Sequence, residues 1–195
     1  MEGDSNDKQL LFREIIASIE DESLREELVK SGPDLAPEFH SEFVHESNLE
    51  LSEPALVEKQ KALANVIRDM SVPQRIKLAL FGNQQARALL IRDSNKQVSS
   101  VVLTNPRIGE SEIFDFAKNT QLDALLLRKI GNNLTWMKGY SVKFALVSNP
   151  KTPADVSMKW LKFITDKDLH RLSKSKGIPQ VIISQSKKIL EQRKG

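Results

Sequence analysis

Apolar residues recur along this chain at the spacing of helices, and nowhere in the alternation of strands. Leu10, Leu11, Ile15 and Ile19 fall on one helical stripe, which Phe12 and Ile16 widen, so the first element is an amphipathic helix. A second helix runs from about Glu22 to Lys30 with Leu24 and Leu28 on one face. It stops at Gly32-Pro33, because glycine accepts the left-handed cap conformation and proline cannot continue a helix. From Asp34 to Leu51 the pattern is irregular, with Phe39 and Phe43 a helical turn apart among Pro37, Ser47, Asn48 and Ser52. Ser52 then has the chemistry of an N-cap, with Pro54 in the first turn where a missing donor costs nothing. Leu56, Leu63, Ile67 and Met70 form the stripe of the helix that follows.

After Ser71 the chain begins to repeat itself. Val98-Ser99-Ser100-Val101-Val102-Leu103-Thr104-Asn105-Pro106 aligns with Val142-Lys143-Phe144-Ala145-Leu146-Val147-Ser148-Asn149-Pro150 at an offset of 44. Apolar character agrees at Val98/Val142, Val101/Ala145, Val102/Leu146 and Leu103/Val147, and again at Phe114/Met158, Phe116/Trp160 and Ala117/Leu161. Half that offset, 22, relates Ile76, Ala79, Leu80, Phe81 and Asn83 to Val98, Val101, Val102, Leu103 and Asn105. The unit is a short helix that ends at Asn, expected in the left-handed cap conformation, before a proline turns the chain. Asn119, Gly131-Asn132 and Gly177 mark further boundaries, and Thr165 with Asp168 has the form of a capping box. Nine short helices are expected between Ser71 and Arg193. Isolated helices shorter than about 12 to 15 residues are marginal in water, so their stability must come from stacking on one another. The class predicted is all-α.

Charge divides the chain. Residues 1–70 hold 17 Asp/Glu against 7 Lys/Arg, whereas residues 71–195 hold 9 acidic and 22 basic residues, balances of −10 and +13. We therefore expect an acidic helical N-terminal region, 1–70, and a basic helical-repeat domain, 71–195. Either the two attract each other or the basic part faces an anionic partner; a basic face that serves only solubility is the plain alternative. Arg75, Lys77, Arg87, Arg92 and Lys96 lie in the first repeats, and Arg107, Lys118, Arg128, Lys129 and Lys151 continue the series, as do Lys138 and Lys143. Arg107 and Lys151 each follow an Asn-Pro directly. If equivalent positions gather on one surface they form a stripe able to track phosphates or dock an acidic protein.

Catalytic chemistry has no visible home in the sequence. There is no cysteine, which excludes disulfides, a thiol nucleophile and thiolate metal or iron-sulfur sites, and is compatible with a reducing compartment. No Gly-x-Ser-x-Gly elbow, phosphate-binding glycine loop or dinucleotide fingerprint occurs. His40 and His45 lie among Glu38, Glu42 and Glu46, but positions five apart do not share a helix face as a metal pair would. His170 stands alone and is expected in solvent. Trp136, Tyr140 and Trp160 admit a base-stacking reading, with core packing the preferred one; Trp136 and Tyr140, four apart, are expected on one helical face. The carboxylates before Met70 follow solvated-helix spacing. Neither metal nor cofactor is expected. No long apolar segment occurs and Met1 to Asp7 is acidic where a secretory signal would be basic, so the expected location is the cytoplasm.

The segments Leu103-Thr104-Asn105-Pro106-Arg107-Ile108 and Val147-Ser148-Asn149-Pro150-Lys151-Thr152-Pro153 resemble the leucine-rich repeat variant family and, more loosely, are similar to HEAT-like repeats. With Ser71-Val72-Pro73-Gln74-Arg75-Ile76-Lys77-Leu78-Ala79-Leu80 they are also similar to a group of uncharacterised bacterial proteins. The resemblance covers roughly Ser71 to Leu190. It implies a right-handed α-solenoid, with the first helices as an extension, and a role in binding macromolecules without catalytic residues. The iron-sulfur cluster that leucine-rich repeat variant proteins can carry is excluded by the lack of cysteine. Two functions follow as expectations: a non-enzymatic scaffold or adaptor for another protein, or a nucleic-acid-binding module using the basic repeats.

Overall fold

A computed structural model describes residues 2–19, 21–33 and 53–194 of the chain. Among the described residues every regular element is a helix, and no strand occurs. The order is α1 (Glu2–Ala17), α2 (Glu22–Ser31), α3 (Glu53–Asp69), α4 (Val72–Phe81), α5 (Gln84–Leu90), α6 (Lys96–Val102), α7 (Glu110–Lys118), α8 (Ala124–Asn132), a 3-10 turn (Trp136–Lys138), α9 (Tyr140–Ser148), α10 (Ala154–Leu161), α11 (Asp166–Ser173) and α12 (Gln180–Lys194). The nine short helices expected after Ser71 are α4 to α12. Phe39, Phe43, His40, His45 and Ser52 lie outside the described residues. No described helix is long and apolar enough to cross a membrane.

The chain forms two compact units, Met1–Ile108 and Gly109–Gly195, and the change of charge at Met70 falls inside the first. Drawn at the structural boundary, the charges become 13 basic against 18 acidic in the first unit and 16 against 8 in the second.

In the first unit α1 buries Phe12, Ile15 and Ile16 and continues to a buried Ile19, but Leu10 is half exposed, so the stripe is narrower than its apolar content implied. Helix α2 is capped by Asp21, whose side chain accepts from the Leu24 N–H at 3.0 Å, and ends at Gly32 with φ of 66°, the left-handed value that favours glycine. Helix α4 starts where Gln74 reaches back to the Ser71 N–H at 2.8 Å, and packs chiefly on α6. Ile76, Leu78, Ala79 and Leu80 of α4 and Val98, Val101 and Val102 of α6 are buried.

The second unit is built on the same scheme, with α7 against α9, α8 against α10, and α10 and α11 against α12. Ile113, Phe116 and Ala117, Leu127 and Ile130, Val142, Leu146 and Val147, and Trp160 and Leu161 are buried together with Ile182 and Leu190. Each of the paired positions Val98/Val142, Val101/Ala145, Val102/Leu146, Leu103/Val147, Phe116/Trp160 and Ala117/Leu161 is buried on both sides.

Three local expectations are corrected. No residue other than glycine has a positive φ among the described residues, so the asparagines are not left-handed caps; Asn119 and Asn149 have φ of −70° and −81°. Their side chains shape the turn instead, each Oδ1 accepting from the N–H two residues on. Gly131-Asn132 does close a helix, since the last residue of α8 is Asn132, but Gly131 lies inside the helix and is not its cap. Gly131 is there for closeness: a Cβ would collide with Val156 Cγ1 and Leu146 Cδ2. The third concerns Thr165. It does accept from the Asp168 N–H at 3.4 Å, but Tyr140 Oη, not Asp168, takes the Thr165 N–H at 3.2 Å, so the reciprocal half of the capping box is supplied by another helix.

Candidate interaction surface

Where helices end, carbonyls are left without intrahelical partners, and a buried one is costly unless a donor finds it. In both units the donor comes from an element further along the chain. Asn105 Nδ2 donates to Ala79 O at 3.0 Å and Gly82 O at 3.3 Å, at the end of α4, while its Oδ1 accepts from the Arg107 N–H at 2.9 Å. Asn149 Nδ2 donates to Ala117 O at 2.8 Å and Asn119 O at 2.9 Å, at the end of α7, and its Oδ1 accepts from the Lys151 N–H at 2.9 Å. The amide thus closes an earlier helix while shaping its own turn. Trp160 Nε1 does the first of these jobs for Gly131 O of α8 at 2.8 Å. Arg193 does it for α10 and the turn after it, donating to Lys162 O at 2.7 Å and Ile164 O at 2.9 Å. Asn83 departs from the scheme: its side chain accepts from the Ala86 N–H at 3.0 Å and starts α5 rather than ending a helix.

Much of the basic series is drawn into the same work. Lys77, only 6% exposed, donates to Ser31 O at 3.1 Å and holds the end of α2. Arg87, 1% exposed, donates to Gly82 O at 2.9 Å. Arg75 donates to Met70 O at 3.1 Å and pairs with Asp93 at 3.0 Å, both side chains being largely buried. Arg107 is exposed, but its guanidinium bonds Phe81 O and lies 3.4 Å from Gly82 O. Arg128 is clamped by both oxygens of Asp155. Lys77 and Arg87 are therefore core residues rather than surface contacts, a correction to the series read from the sequence. Arg92, Lys96, Lys118, Lys129 and Lys151 are exposed.

A local rule underlies part of this pattern. Arg75, Arg87 and Lys143 each sit four residues after an N-cap, at Ser71, Asn83 and Gly139, and each donates to the carbonyl just before that cap. It is the polar counterpart of the hydrophobic staple, which joins the same two positions through apolar side chains. Arg25 does likewise one residue further back, donating to Ile19 O at 2.7 Å.

The electrostatics of the second unit follow from its ion pairs. The hydrogen bond from Arg128 holds the Asp155 carboxyl below the ordinary aspartate range and, reciprocally, raises the guanidinium. The Asp168 carboxyl is lowered first by the Tyr140 hydroxyl, which donates to it at 2.6 Å, and then by Arg171 at 3.0 Å. All three arginines of this unit are thereby matched, since Arg193 pairs with Asp166 at 2.6 Å. The unit's remaining positive charge is lysine.

The aromatic residues separate. Trp160 is buried, as the repeat register required, with the Lys159 ammonium 5.1 Å from its ring centroid. Trp136 and Tyr140 do not share a helix: the first lies in the 3-10 turn, while the second opens α9 and is 38% exposed with its hydroxyl tied to Thr165 and Asp168. Phe163, which composition did not single out, is 52% exposed beside Trp160, and Leu134 is 65% exposed. Their only sequence signal was an apolar residue placed just past a helix end.

Among the described residues no three acidic or histidine side chains converge as metal ligands, and His170 is exposed. In the first unit a cleft of about 250 Å³ is lined by Ala64, Ile67, Arg68, Leu89 and Ser94 around the Arg75–Asp93 pair. No protein-family model, curated protein or solved structure matches the chain.

Proposed function

We propose that this chain is a non-enzymatic helical-repeat adaptor that binds another protein. In this reading the helices within each unit stack in the manner of a right-handed solenoid, and the cysteine-free composition is compatible with work in the cytoplasm. The observation that carries the reading is the allocation of the cations. Arginine is the side chain suited to fork a phosphate, and Arg75, Arg87, Arg107, Arg128, Arg171 and Arg193 are bonded to carbonyls or carboxylates of the chain itself. Exposed apolar side chains such as Leu125, Leu134 and Phe163 supply the kind of surface that protein partners cover.

A nucleic-acid-binding module is the second reading, favoured by the 16 basic against 8 acidic residues of the second unit. Affinity capture from a native extract, with and without nuclease, separates the two. Defined proteins that survive nuclease and bind the purified chain directly support the adaptor. Retention of an oligonucleotide with an affinity that collapses between low and moderate salt, in the absence of any direct protein ligand, overturns it.

A further inference from the structure

Two contacts bring two connections of the second unit to one end, and a third ties α12 to one of them. Trp160 Nε1 binds Gly131 O at 2.8 Å, Tyr140 Oη accepts from the Thr165 N–H at 3.2 Å, and Arg193 donates to Lys162 O at 2.7 Å. The segment between α8 and α9, which carries Leu134 and Lys138, therefore emerges at the same end as the segment between α10 and α11, which carries Lys162 and Phe163. At that end an apolar surface is set among ammonium groups. The Phe163 ring lies 5.6 Å from the Trp160 ring, tilted by 44°, with Lys162 Nζ 5.2 Å from the Phe163 centroid and Lys159 Nζ 5.1 Å from that of Trp160. Lys138, Lys159 and Lys162 are exposed.

We propose that this end of the second unit docks an acidic segment of a partner protein through an apolar side chain laid against Phe163 and Leu134. This deepens the adaptor reading and rests on it. Charge complementarity selects the occupant: carboxylates flanking the apolar side chain meet Lys159 and Lys162, since the nearby acids Asp166 and Asp168 are already matched by Arg193 and by Tyr140 with Arg171, while Lys138 lies beside Gly139, against which the Glu110 carboxylate packs. A stacked base fits less well. Each ring carries one of the chain's own ammonium groups over it, and each arginine of the unit is paired with a carboxylate.

The test selects a displayed random peptide library against the full chain. Hits are titrated on wild type, Leu134→Ala/Phe163→Ala and Lys159→Glu/Lys162→Glu, with a single-stranded oligonucleotide and phosphatidylserine vesicles as parallel probes. The apolar side chains removed are exposed, and thermal melts of each variant confirm that it folds. Enriched peptides should combine Asp or Glu with a large apolar residue and lose about tenfold or more in affinity to both variants, the charge reversal acting most at low salt. Peptides that bind both variants as they bind wild type overturn this site and leave the adaptor reading standing. Binding of the oligonucleotide or vesicles with no peptide enriched overturns both, and so does a chain that binds none of the probes.

Discussion

The side-chain amide of Asn149, at the end of α9, donates to the carbonyl of Ala117 at 2.8 Å, across 32 positions of sequence. One buried residue thus shapes its own turn and closes the end of α7. Asn149→Ala removes both donations and leaves the buried Ala117 carbonyl without its side-chain donor, which should lower stability by about 1–3 kcal/mol in urea denaturation. Asn149→Asp retains the acceptor that forms the turn but not the donors, and points a carboxylate at two carbonyls. It should cost at least as much, and a neutral Asp variant would show that the turn, not the donation, is what matters.

Gly131 lies within α8, where alanine would ordinarily gain up to about 1 kcal/mol in helix propensity. Here a Cβ meets Val156 and Leu146. Overpacking of this kind costs roughly 1–3 kcal/mol, so Gly131→Ala should be destabilising in net, read as a fall in the denaturation midpoint without a change in slope.

Basic residues of similar sequence context should differ sharply. Arg87→Ala empties a buried volume and removes the shortest of the side-chain donations to the Gly82 carbonyl, at a cost of about 2–4 kcal/mol. Arg92→Ala, five residues on and exposed, should change stability by less than about 0.5 kcal/mol. Thermal denaturation of the two variants side by side checks this.

Acid should weaken the second unit through Asp155 and Asp168. Both are lowered from 3.8 in the folded state, by hydrogen bonds from Arg128 and from Tyr140 respectively. Their contribution is therefore complete above the unfolded value and is lost as pH falls through the lower folded values. Stability measured from pH 5 downward should decline, and Asp168→Asn should be less stable at pH 5 and show a shallower decline below about pH 4.

Much of the fold is legible in one dimension because a helix satisfies its hydrogen bonds within a few residues and shows its buried face as a period of 3.6. The burial of Leu63 and Ile67 in α3, the stop at Gly32 and the paired burial of Val102 with Leu146 and of Phe116 with Trp160 all follow from such local patterns. Even the staple of Arg75 and Arg87 is local, since cap and cation are four residues apart.

The destinations of polar side chains are not local, and there the sequence is silent. Asn105 and Asn149 were legible as helix ends, but their partners, Ala79 and Ala117, lie 26 and 32 residues back. Lys77 and Ser31 are 46 residues apart, and Gly131 and Trp160 are 29 apart. A run of cations along the chain therefore reads as a surface stripe until packing shows which helix ends lie beside it. Sequence by itself determined that this protein is helical, where most of its helices lie and which residues form most of their buried faces, because those depend on neighbours a few residues away. Tertiary structure alone decided that Lys77 and Arg87 are internal fasteners while Lys159 and Lys162 lie over the paired rings of Trp160 and Phe163, because a charge is assigned by the groups that folding brings within reach.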